Sequence, residues 1–169
     1  MSTHDEIKQN LGSELFELMP LDGRKVVRPL VVSLDIDSHV WPANWPDNRD
    51  GDRLAEFRAV LDAFSAGEAI SVSQNPFQKD PTTILARVHP IRYGLWDIRV
   101  THPSPGIRCL GGFTKRDSFA ALVWDYRENL ETAEDWSNII EECKTKWHSL
   151  FSTAPLCGDN LDEYLSEYI

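Results

Sequence analysis

A chain of 169 residues, 41% hydrophobic and 10% aromatic, has the length of one domain and enough apolar content to fill a core without disulfide or metal staples. No run approaches the ~18 apolar residues of a membrane-spanning helix. The opening Met1-Ser-Thr-His-Asp-Glu lacks the basic and apolar regions of a secretion signal, so the expected location is cytoplasmic.

The net charge of −10 argues against indiscriminate nucleic-acid binding, but the charge is unevenly spread. Residues 128–169 hold ten Asp and Glu against two Lys and Arg, whereas residues 84–127 hold seven Lys and Arg against three Asp. A basic centre inside an acidic chain has two readings. One is charge complementarity between neighbouring surface elements, and the other is an anion-binding face. Cys109, Cys143 and Cys157 are odd in number and show no CxxC spacing, which favours reduced, buried thiols over a zinc site.

In chain order, Thr3 and Glu6 stand at capping-box spacing ahead of Ile7, Leu11, Leu15 and Leu18, which predicts a helix running to about Met19. Residues 25–36 alternate as a strand, with Leu30, Val32, Leu34 and Ile36 on one face and Asp35, Asp37 and His39 continuing the other. Leu54, Phe57, Val60, Leu61 and Phe64 form one stripe of a second helix, capped by Asp50 or Asp52 and ended by Ala66-Gly67. A short strand near Ile70 follows, then four strands at about 84–88, 94–101, 107–113 and 119–126. Their hairpin-sized connections imply an antiparallel meander. Gly111-Gly112 inside a strand reads as a bulge or a close-packing point. Thr132 and Asp135 open a long helix whose apolar stripe runs through Trp136, Ile139, Ile140, Cys143, Trp147, Leu150 and Phe151. Leu161 to Leu165 suits a short terminal helix.

Two constellations carry chemistry. Asp35, Asp37 and His39, at i, i+2 and i+4 on one strand face, read either as the donors of a divalent metal or as the polar face of a half-buried strand. The count of ligands favours no metal and no cofactor. The second is the set Arg99, Arg108 and Arg127 at strand ends. A meander brings such residues together, and their guanidinium forks match phosphate oxygens. Pairing with Asp97, Asp117 or Asp125 explains them equally well. There is no GxSxG elbow and no glycine-rich phosphate loop.

The segments Gly94-Leu-Trp-Asp-Ile-Arg-Val100, Gly106-Ile-Arg-Cys-Leu110 and Phe119-Ala-Ala-Leu-Val-Trp-Asp-Tyr-Arg127 together resemble the RelE/HigB superfamily of bacterial toxins, over about residues 50–130. The family pattern is a "gl(Y/W)ElR" strand, a "yRvly" strand and a final apolar strand ending in a basic segment. The resemblance implies an α+β fold, an antiparallel meander packed against helices. Its RelE-like core would span 50–155, with an N-terminal elaboration over 1–49 and an acidic tail over 156–169, all in a single domain. It also implies a metal-independent endoribonuclease, the toxin of a toxin–antitoxin pair or a phage-derived relative, with an antitoxin and RNA or the ribosome as partners. Arg108, Arg127 and Tyr126 would then be catalytic, and Arg99, Lys115 and Arg116 would hold the RNA. The alternative is a non-catalytic protein-interaction domain on the same core.

Overall fold

A computed structural model describes residues 1–169. Helix α1 (Thr3–Asn10) is capped by Ser2, whose hydroxyl and Asp5 satisfy each other's backbone amides. The helix stops nine residues short of the expected end, at Asn10 instead of Met19. Leu11 is already extended and Gly12 takes φ +83°, so Leu15 and Leu18 are buried from strand β1 (Leu15–Glu17) and its exit instead. Apolar spacing of four, four and three suits a helix, but the Gly12-Ser13 break overrides it.

The expected strand over 25–36 is also cut short. Strand β2 (Leu30–Ser33) ends where the Ser33 hydroxyl accepts the Ile36 N–H at 3.4 Å and opens helix α2 (Leu34–Val40). Leu34 is therefore 51% exposed, while Ile36 and Val40, four apart, are buried. Helix α3 (Arg49–Ser65) starts at Asn48, whose side chain accepts from Asp50 and Gly51; Asp50 and Asp52 lie inside its first turn.

Strands β3 (Val72–Ser73), β4 (Leu85–Arg87), β5 (Leu95–Val100), β6 (Ile107–Lys115) and β7 (Ser118–Tyr126) follow, and helix α4 (Ala133–Leu150) closes the core with the Thr132–Asp135 capping box in place. The fold is α+β around one seven-stranded sheet of order β1-β2-β7-β6-β5-β4-β3. The β4–β7 run is the expected antiparallel meander, but the sheet as a whole is mixed, because β2 runs parallel to β7 and β3 parallel to β4. The β3–β4 pair is parallel because residues 74–84 carry the chain back to the end where β3 begins.

Alternation along the strands divides the core. Trp96, Ile98, Val100, Ile107 and Cys109 face α2 and α3, whereas Leu95, Leu110, Leu122 and Val123 face α4. Register shifts at Leu110/Gly111. A Cβ on Gly111 would lie 2.0 Å from the Ala120 carbonyl oxygen, and one on Gly112 would press on Pro155 and Trp147. The acidic segment 156–169 folds back, making a 3-10 turn at Leu161–Glu163 in place of the expected terminal helix. Tyr164 and Leu165 are fully buried, with the Tyr164 ring against Trp96 and Phe113. No helix is long and apolar enough to cross a membrane.

Candidate functional site

The three arginines do gather. Arg99 and Arg108 are register partners across β5 and β6, and Arg108 faces Asp125 across β7. By strand alternation they share the α4 face with Asp97, and Arg127 joins them with its guanidinium 5.9 Å from the Trp136 ring on α4. Each already spends its Nη1 on main-chain carbonyls. Arg108 is buried, its Nε 3.7 Å from Asp97, and donates to the Ile107 and Val100 carbonyls at 3.0 and 3.4 Å. Arg99 donates to the Asp80 and Thr83 carbonyls at 3.0 and 3.1 Å, tying the loop before β4 to the sheet. Arg127 donates to Leu130 at 2.6 Å, shaping the turn into α4.

Asp97 is 1% exposed and neither carboxylate oxygen has a hydrogen-bond partner. Burial pushes its pKa up to about 6, against the opposing pull of Arg108, Lys79 and Arg99. Lys79 rides the exposed 74–82 loop over this cluster. Partial desolvation lowers its pKa; Asp97 raises it, and Arg99, Arg108 and Arg127 lower it.

The remaining expected residues lie elsewhere. Tyr126 points to the α3 face, where the Arg53 guanidinium covers its ring at 3.8 Å and Arg53 itself is held by Glu128 and Asp50. Alternation along β7 separates it from Arg127, a relation that adjacency in sequence conceals. Lys115 ends β6, seven residues from Arg108, or roughly 20 Å along a strand. Arg116 follows it in the turn to β7.

Asp35, Asp37 and His39 fall on α2, where residues two apart diverge around the helix. His39 Nδ1 sits 2.8 Å from the Asp35 carbonyl oxygen and 3.4 Å from its carboxylate, which also accepts the Trp124 indole N–H at 2.8 Å. No group of three His, Cys, Asp or Glu side chains is placed to hold a metal ion. Cys109 and Cys143 are buried, and burial pushes both thiols up, away from nucleophilic use. Cys157, expected to be buried, is exposed beside the Ile91 carbonyl.

A feature that sequence patterning missed adjoins the arginine cluster. A groove of about 510 Å³ runs between the 76–79 loop, the 88–93 segment and α4. Its apolar side chains are Phe77, 75% exposed and stacked on His89 at 5.0 Å, with Tyr93, Trp136 and Ile140. Cations attend the rings: Lys79 lies 5.8 Å from Trp136, and Lys144 and Arg92 lie 4.3 and 5.2 Å from Tyr93. Glu141, which accepts the Tyr93 hydroxyl at 3.3 Å, is the one acid lining it. Pro76-Phe77 and Pro90 gave the only local sign, and proline beside an aromatic in a loop is too common to mark a groove. Compared with family models, curated proteins and solved structures, the chain matches none.

Proposed function

We propose that the protein is a non-catalytic interaction domain on a RelE-like core, whose groove beside α4 takes an extended acidic segment of a partner protein bearing an apolar anchor. The observation that carries this reading is the commitment of Arg108. A guanidinium only 8% exposed, with Nη1 on two carbonyls and Nε turned to Asp97, presents no exposed two-nitrogen fork to a scissile phosphate. Next to it stands a surface with exposed aromatic rings rimmed by Lys79, Arg92, Arg127 and Lys144. Apolar anchors fill such grooves and rim charges select the partner and speed its approach. The acidic face of α4, with Glu134, Asp135, Glu141 and Glu142, disfavours a polyanion as long as RNA. An antitoxin of the kind the resemblance implies is a protein, the class of partner this groove fits.

Panning a random peptide display library on the purified protein tests the proposal. Enriched sequences should combine Asp or Glu with an aromatic or large aliphatic residue. Their affinity should fall at least about tenfold with Trp136→Ala and with Lys79→Glu. No enrichment, or peptides that bind both variants as well as the wild type, would overturn it.

The metal-independent endoribonuclease is a second reading, favoured by one observation: Arg99, Arg108, Arg127 and Lys79 converge on the face that holds Asp97 and Asp125. Arg108 would have to leave the Ile107 and Val100 carbonyls before it could neutralise a phosphorane-like charge.

A further inference from the structure

A second cavity, of about 280 Å³, lies between α1 and the turn joining β6 to β7. One wall is the α1 face that carries His4, Ile7, Lys8 and Leu11, at helical spacings of three and four. The floor is apolar, from the buried Val31 of β2 together with Pro29. At the mouth the Lys8 and Lys115 side chains and His4 stand against a single acid, Glu17. The Thr114 and Ser118 hydroxyls complete the polar side.

An apolar floor under a cationic mouth has a definite complement. The volume is at the small end of ligand cavities, which begin near about 300 Å³, so a single small molecule fits and a peptide or oligonucleotide does not. We propose that this cavity binds a free medium-chain carboxylate, its chain laid between Ile7, Leu11 and Val31 and its carboxylate held by Lys8 and Lys115. This gives Lys115 a role other than holding RNA, and it stands independently of the groove beside α4.

Sodium octanoate is the probe, titrated below its micellar range into the isotopically labelled full chain and followed by amide NMR shifts. Octylamine and anionic lipid vesicles are run in parallel. The expected result is saturable shifts at Ile7, Leu11, Val31, Thr114 and Ser118 with octanoate alone, weakened about tenfold or more by Lys8→Glu with Lys115→Glu. Both lysines are exposed, so the double variant should keep the wild-type spectrum elsewhere. If that variant is misfolded, Lys8→Gln alone must still weaken binding severalfold. Absence of saturable binding, equal response to octylamine, undiminished binding by the variants, or binding to vesicles in place of octanoate would each overturn the proposal.

Discussion

Asp97 is the residue on which the α4 face turns. Its carboxylate sits under Arg108, Arg99 and Lys79 without a hydrogen bond of its own, and burial outweighs their attraction, so the folded protein holds the proton up to about pH 6. An unfolded Asp releases it near 3.8. Between those values the folded state binds more protons, and stability falls as pH rises through the window. Urea unfolding of the wild type and Asp97→Asn should therefore show the wild type losing ground to the variant as pH rises from 3.8 to about 6, and levelling off above that. The opposite trend would mean that the cations, not burial, set this pKa. At the same scale, Gly111→Val forces a Cβ onto the Ala120 carbonyl and should destabilise by roughly 1–3 kcal/mol in chemical denaturation. The sequence showed that Arg99, Arg108 and Arg127 would meet, because strand ends in a meander must. It could not show that Arg108 spends Nη1 on the Val100 and Ile107 carbonyls, since strand register states neither burial nor rotamer. Tyr126 lies apart for a plainer reason, its place on the opposite face of the sheet from the three arginines.

Among the elements, α4 was the most legible, because a capping box and an unbroken stripe over five turns leave no competing period. Trp147 is 1% exposed, stacked on Phe151 at 4.5 Å with its indole N–H donated to Thr153. Trp147→Ala should cost roughly 3–5 kcal/mol by urea unfolding, and Thr132→Ala about 1 kcal/mol through loss of the cap. The N-terminal elements were misread because short apolar runs satisfy two periods at once. Leu15 and Leu18 extend a helical spacing as well as they supply a strand, and Leu34 with Ile36 extends an alternation as well as it opens a helix. In both places one small polar or flexible residue, Gly12 or Ser33, decided the outcome.

For the molecule as a whole, the sheet's mixed character was invisible from local pattern, because nothing within residues 30–33 or 118–126 states that these strands pair in parallel across the whole of 34–117. The buried ending was hidden in a similar way. Ten acids from Glu128 onward dominate the composition, yet Tyr164 and Leu165 plug the sheet, with the Tyr164 hydroxyl bound to Arg87 and Gly158. Removing residues 161–169 should lower stability by several kcal/mol and expose Trp96 to quenching by iodide. Unchanged unfolding midpoints would show the plug to be dispensable. Whether the domain binds without cutting, as proposed, is decided by one assay. Wild-type protein, folded and free of partner, is incubated in EDTA with free and ribosome-bound messenger RNA, and the 3′ ends are mapped. The expected result is intact RNA in both arms. Fragments ending in 2′,3′-cyclic phosphate, lost about 10²-fold or more on Arg108→Ala, would contradict the account and restore the ribonuclease.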